Sequence, residues 1–150
     1  MKYPKITLLV FILWIIGFFI MYKVGSEESK IENKLLKNNI EIKGIIESIK
    51  ISKNHCFAII QVKNLEANRK IFNQVLNRKY FPYVIKNNQS EIYAHICDLE
   101  NIGDTITLNS NEKIIKIKDN STGKISERDI GIVKEETDME YIKLNTILNK

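Results

Sequence analysis

Residues 6–22, ITLLVFILWIIGFFIMY, are an uncharged run in which only Thr7 and Gly17 interrupt large apolar side chains. Coiled into a helix at roughly 1.5 Å per residue, the run is about 25 Å long. That is near the short limit for crossing a hydrocarbon core roughly 30 Å thick. Water does not solvate a helix that is apolar all round, and lipid offers no partner to an unpaired backbone group. The run therefore reads as one membrane helix, in contact with lipid through residues 6–22. It leaves the rest of the 150-residue chain enough length for one small domain of roughly 100 residues.

The flanks give this helix a direction. Lys2, Lys5 and the α-amino group precede it, and Lys23, Glu27 and Glu28 follow. Positive charge favours the cytoplasmic side, so the N-terminus is expected in the cytoplasm and the C-terminal domain outside it, at an inner-membrane location. A cleavable signal peptide would share the basic start, but its apolar core runs about 7–15 residues and ends in small side chains. Here the core ends in Phe18, Phe19, Met21 and Tyr22, with only Val24-Gly25-Ser26 as a weak cleavage site. No cysteine directly follows the run, which excludes a lipoprotein signal. The expected arrangement is an uncleaved anchor over residues 1–23.

Setting aside Lys2, Lys5 and Lys23 leaves 20 basic against 18 acidic residues in the remainder, a net charge of +2. Nucleic-acid binders gather basic charge on one face. Here Lys and Glu alternate along the chain, so nucleic acid is not expected as a partner. Residues 24–39 are polar, with Ile31, Leu35 and Leu36 forming a short helical stripe. They read as a helical stalk ending at Asn38-Asn39. One heptad is too short for a coiled-coil seam.

From Ile40 the period changes. IEIKGIIESIKIS alternates as a half-buried strand does, with a phase shift after Gly44 that suits a bulge. A long bent first strand is how a small barrel begins to close. Lys53-Asn54 reads as a turn, and Cys56–Val62 as a strand apolar on both faces for part of its length. Residues 63–70 read as a polar connection. Ile71, Phe72, Val75 and Leu76 then fall at the spacing of a short amphipathic helix, with Gln74, Asn77, Arg78 and Lys79 facing water. Pro82 ends that helix. Tyr80, Phe81 and Tyr83 are either a stacking platform for bases or a hydrophobic lid. Without a basic groove beside them, they read as a lid.

Glu91–Cys97 is the clearest strand, with Ile92, Ala94 and Ile96 on one face and Tyr93, His95 and Cys97 on the other. The segment from Asp98 to Leu108 turns at Gly103-Asp104, where glycine accepts positive φ and aspartate bonds the next backbone amides. Residues 105–108 and 113–118 read as a hairpin closed by 109–112. The membrane helix, Ile42-Lys43-Gly44-Ile45-Ile46, the Ile-Gly-Asp-Thr-Ile turn and the Lys-Ile-Ile-Lys-Ile hairpin together resemble small, uncharacterised single-pass membrane proteins of Bacteroidota. In that group the turn reads Val-Gly-Asp-Ser-Ile before a Lys-rich hairpin. The resemblance covers about residues 40–118. It implies a small OB- or SH3-like barrel and brings no activity with it. This chain departs from the pattern in its longer C-terminal tail and its His-Cys pairs.

Both histidines and both cysteines fall in two short stretches, His55-Cys56 and His95-x-Cys97. Two Cys and two His are a tetrahedral zinc complement, but the usual Cys-x-x-Cys and His-x-x-x-His spacings are missing. A Cys56–Cys97 disulfide suits an extracytoplasmic domain, and about 40 enclosed residues would give roughly 4 kcal/mol in the chain-entropy model. Against it, Cys56 is expected on the core face with Ala58, Ile60 and Val62, so two thiols remain an open alternative. A Cys–His nucleophile pair is the remaining option, but no third, orienting residue stands out.

Residues 120–123 read as a loop, Ile130, Ile132 and Val133 as an edge strand, and 134–138 as a charged break with an N-cap. Tyr141, Leu144, Ile147 and Leu148 form the stripe of a C-terminal amphipathic helix over 135–150 that covers its own core. The expected fold is thus mainly β (α+β): an N-terminal transmembrane helix (1–23), a stalk (24–39), a small partly open OB- or SH3-like barrel (40–134) and a C-terminal helix. The expected role is a membrane-anchored, non-enzymatic interaction module of the cell envelope with a protein partner, no catalytic residue, no metal and no cofactor. The alternatives are an OB-like oligonucleotide or oligosaccharide binder and an envelope thiol or metal site built on His55, Cys56, His95 and Cys97.

Overall fold

The computed structural model describes residues 4–53, 55–97 and 101–149, with side chains from residue 9 onward. Asn54 of the expected turn, and Asp98, Leu99 and Glu100 of the next, lie outside the described residues. The chain divides into two compact units, the first ending at Leu35 and the second beginning at Leu36.

The first unit is the helix α1 (Pro4–Leu36). Its portion from Leu9 to Leu36 is long and apolar enough to cross a membrane, with a mean hydropathy of 2.0 in its most apolar window and none of that window buried. The segments expected as anchor and stalk form one uninterrupted helix, because Gly25 lowers helix propensity without breaking the backbone ladder. The helix stops where Asn39 takes a left-handed φ of 58°, a conformation asparagine tolerates better than most residues.

The second unit is pinned at its entry. The Ile40 amide donates to Ser110 Oγ at 2.7 Å and the Ser110 amide donates to the Ile40 carbonyl at 2.9 Å. Asn39 trades side-chain and backbone hydrogen bonds with Asn111, and Tyr83 Oη donates to Asn38 Oδ1 at 2.8 Å. Burial pushes the Tyr83 phenol up to about 12.

The strands are β1 (Glu41–Ile51), β2 (Phe57–Ala67), β3 (Ile71–Phe72), β4 (Val75–Leu76), β5 (Lys79–Tyr80), β6 (Tyr83–Lys86), β7 (Gln89–His95), β8 (Thr105–Asn109), β9 (Ile114–Lys118) and β10 (Ile125–Asp129). Eight of them form one antiparallel sheet in the order β10-β9-β8-β1-β2-β7-β6-β3, and β4 pairs with β5 separately. The sheet does not close, but it curls until β10 comes within 8 Å of β7, Cα to Cα. It is a partly open barrel. Its long strand β1 is shared between β2 on one side and β8 on the other.

Two irregularities bend β1. Ile46 faces Val62 and Ser48 faces Gln61, so Glu47 is the extra residue and carries the phase shift. At Gly44 the extra residue, Leu65, belongs to β2, and Ile42, Gly44 and Ile46 share the buried face. Gly44 is required by close approach: a Cβ there would sit 2.5 Å from the Lys63 carbonyl oxygen.

Both faces are covered over residues 57–62 of β2 and 90–94 of β7, which explains why those stretches are mostly apolar. One face carries Ala58, Ile60, Val62, Ile92 and Ala94 into the barrel interior beside Ile46, Ile106, Leu108, Ile115 and Ile117. The other carries Phe57, Ile59 and Tyr93, which pack with Val84, Val133 and Ile142 beneath the helix α2 (Glu136–Asn145). Glu91 is fully buried on that face and accepts hydrogen bonds from Tyr93 Oη at 3.0 Å, from Thr146 Oγ1, and from the Ile147 amide at 2.8 Å. These bonds fasten the C-terminal segment to the sheet.

Several expectations are corrected. Residues 71–80 form three short strands rather than a helix, because β3 pairs with β6 and Asn77-Arg78 turns β4 into β5, with Arg78 at φ 53°. Residues 63–67 continue β2 rather than forming a connection. The last strand is Ile125–Asp129, and Ile130, Ile132 and Val133 lie beyond it, with Val133 making only an isolated bridge to Tyr80. The buried face of α2 runs through Asp138 and Ile142, whereas Leu144 is 71% exposed. At the Gly103-Asp104 turn, Gly103 does take a positive φ of 97°. Asp104, however, accepts from the amides of Asn101 (2.9 Å) and Asn120 (3.1 Å), tying the turn to the loop after β9 rather than to its own next residues.

Candidate functional site

The sites singled out in the sequence meet at one end of the β2–β7 pair. Phe57 lies opposite His95, and the Ile96 amide donates to the Cys56 carbonyl at 2.9 Å, extending the ladder one step past both strands. Cys56 is not in a strand. It and His55 form a turn with φ of 57° and 47°, and Cys56 is half-buried, so it is not the fully buried core-strand residue expected beside Ala58, Ile60 and Val62. Both cysteines are thiols in the structure, Cys56 half-buried and Cys97 exposed.

A residue that the sequence reading treated only as part of a charged break completes this end. Asp138 lies in the first turn of α2 and is 2% exposed. Its Oδ2 is 3.4 Å from His95 Nε2, and the His95 side chain is half exposed. A carboxylate in the first turn also meets the positive end of the helix dipole. Burial raises the Asp138 pKa above the ordinary carboxylate value, His95 and His55 pull it back, and Glu135 pushes it further up. The His95 ring stands edge-on to Phe57 at 5.2 Å, and Phe57 in turn meets Tyr141 at 6.4 Å.

A cleft of about 190 Å³ opens here, lined by Phe57, Tyr93, His95, Asp129, Val133 and Asp138 among others. It occupies the seam where the end of β10 approaches β7, so the incomplete closure of the barrel creates it. A half-exposed imidazole with a buried carboxylate 3.4 Å from its Nε2 is the arrangement in which a carboxylate can orient a histidine. No family model, no curated protein and no solved structure matches this chain. The functional reading therefore rests on the residues themselves.

Among the described residues no three His, Cys, Asp or Glu side chains gather as a metal-ligand set. The aromatic trio is equally informative. Phe81 and Tyr83 are buried, Phe72 packs on both at 5.1 and 5.3 Å, and Tyr80 is half-buried. They are packed into the domain and offer no exposed platform for a base or sugar. Sequence reasoning missed Asp138 because nothing in its neighbourhood points to a histidine on a distant strand. The only local signal was an acid three residues into a helix.

Proposed function

We propose that this chain is a membrane-tethered, non-enzymatic interaction module whose β-domain lies outside the cytoplasm. The observation that carries it is α1, an apolar helix with no buried window, joined directly to a domain with its own core. Such a chain concentrates a folded surface at a bilayer. The excess of lysine before the helix supports the outward placement of the domain. The long β1 shared between two halves of the sheet supports an OB-like description. The test is site-resolved crosslinking of the intact protein in its membrane, with α1 replaced by an unrelated apolar helix in a second sample. A module predicts that the same protein crosslinks are kept and map to residues 36–150. Crosslinks confined to α1, and lost on its replacement, contradict it.

The second reading, an envelope thiol site, is supported by Asp138 standing behind His95 at the end where Cys56 and Cys97 both lie. If His95 activates a thiol there, His95→Ala slows alkylation at neutral pH about tenfold, because the thiolate is the reactive form. An unchanged rate removes this reading. Thiol counting on the intact protein, without and with reductant, tests the Cys56–Cys97 bridge. Two titratable thiols before reduction eliminate it.

A further inference from the structure

The residues from Ala67 to Ser90 include Arg69, Lys70, Arg78, Lys79 and Lys86 and not one acid. This is a concentration of charge that the near-neutral total for the domain conceals. The nearest acids along the chain are both engaged elsewhere: Glu66 pairs with Lys43 at 3.5 Å, and Glu91 is buried under α2. The fold keeps the cations outside. Arg69, Lys70, Arg78 and Lys86 are exposed, and Lys86 lies directly opposite Ile71 across β3 and β6. The same segment presents two aliphatic side chains to solvent, Ile71 at 71% and Val75 at 87% exposure, the latter on the small β4–β5 hairpin. Its aromatics do the reverse, Phe72, Phe81 and Tyr83 packing on one another.

We propose that Arg69, Lys70, Ile71, Val75, Arg78 and Lys86 form a second membrane contact, a face of the domain that docks on anionic phospholipid. Exposed aliphatic groups interspersed with exposed cations in one segment are the chemistry of a bilayer interface, where the aliphatic side chains enter the headgroup boundary and the cations meet phosphate. Single-stranded nucleic acid would need exposed aromatic rings, and this segment turns most of its rings inward. The inference rests on α1 being a membrane anchor. A tethered domain meets its own bilayer at high effective concentration, so contacts too weak to recruit a soluble protein suffice for docking.

The test uses the full-length chain reconstituted in phosphatidylcholine vesicles and in vesicles containing phosphatidylglycerol. Flotation with the neutral vesicles reports insertion of α1 by itself. Amide hydrogen exchange over residues 69–80 then reports docking. Protection is expected in the anionic vesicles only, reversed by high salt, and weakened about fivefold for each cation removed. The triple variant Arg69→Glu, Lys70→Glu, Arg78→Glu is expected to float normally, to keep slow exchange in β1 and β2, and to lose the protection over 69–80. Equal exchange in the two vesicle types, or protection that persists in a folded triple variant, overturns the proposal. Protection that appears only on adding a single-stranded oligonucleotide also overturns it, in favour of nucleic acid. Failure to float with either vesicle overturns the anchor reading itself and is a separate result.

Discussion

His95 Nε2 stands 3.4 Å from Asp138 Oδ2, joining the last residue of β7 to the first turn of α2 over a carboxylate that is almost wholly buried. The pair links β7 to α2 and both residues line the cleft, so it contributes both to docking the helix and to shaping the cleft.

That arrangement sets a pH dependence. Burial raises the folded pKa of Asp138, with His95 and His55 opposing and Glu135 adding to the rise. A carboxyl with a raised folded pKa binds its proton more tightly folded than unfolded. Its titration therefore costs nothing below the unfolded value of about 3.9 and takes stability away as pH rises through the interval up to the folded value. Asp138→Asn deletes this titration. Relative to the wild type, the variant is expected to gain stability as pH rises above the ordinary carboxylate value. Thermal unfolding of the full chain in mild detergent, followed by near-ultraviolet circular dichroism, reads the difference. Parallel pH profiles would contradict the assignment.

Glu91 is the second buried acid, and three donors converge on it. Glu91→Ala leaves the Tyr93 and Thr146 hydroxyls and the Ile147 amide without that acceptor inside the protein. A loss of about 3 kcal/mol is expected, from hydrogen bonds to a charged group plus the desolvated donors left behind. Glu91→Gln keeps an acceptor oxygen and is expected to lose less. Denaturant midpoints of the two variants decide it, and equal losses would show that the carboxamide cannot substitute.

The C-terminal helix gives a paired comparison. Ile142 is fully buried among Phe57, Ile59 and Tyr93, whereas Leu144 is mostly exposed. Ile142→Ala is expected to cost about 2–4 kcal/mol through lost burial and a residual cavity. Leu144→Ala is expected to stay within about 0.5 kcal/mol of wild type. The opposite ranking in unfolding measurements would restore the stripe read from the sequence.

Gly44 has no room for a side chain. A Cβ would lie 2.4 Å from Val62 Cγ1 and 2.5 Å from the Lys63 carbonyl oxygen. The side chain can rotate away, but the carbonyl belongs to the β1–β2 ladder. Gly44→Ala is expected to destabilise by about 1–3 kcal/mol, as overpacked sites do, and to loosen amide protection in β1 and β2 first. Wild-type exchange in both strands would contradict it.

The sequence was most legible where one periodicity had one interpretation. The long apolar helix, the alternation at Ile92, Ala94 and Ile96, and the β8–β9 hairpin are all of this kind. It misled at Ile71, Phe72, Val75 and Leu76, because pairs of apolar residues four apart fit a helical face and also fit two dipeptide strands joined by a turn. Only the partners, Ile85 and Lys86 for β3 and Lys79 and Tyr80 for β4, separate the two. The same misreading hid the acid-free basic stretch over 67–90, since Arg78 and Lys79 fit the solvated side of a helix. The candidate site was half legible: His95 and the cysteines stand out by rarity. Asp138 does not, since proximity across the fold leaves no trace in local spacing.

The central claim is that a folded β-domain hangs from a membrane helix on the outer side. Its most direct test labels intact cells with a membrane-impermeant maleimide under mild impermeant reductant, followed by membrane sedimentation. Cys97 is exposed and Cys56 half-buried, so the full-length protein is expected to be labelled without permeabilisation and to pellet with the membranes. Labelling only after the cells are opened, or a labelled species that stays in the supernatant, would contradict the account.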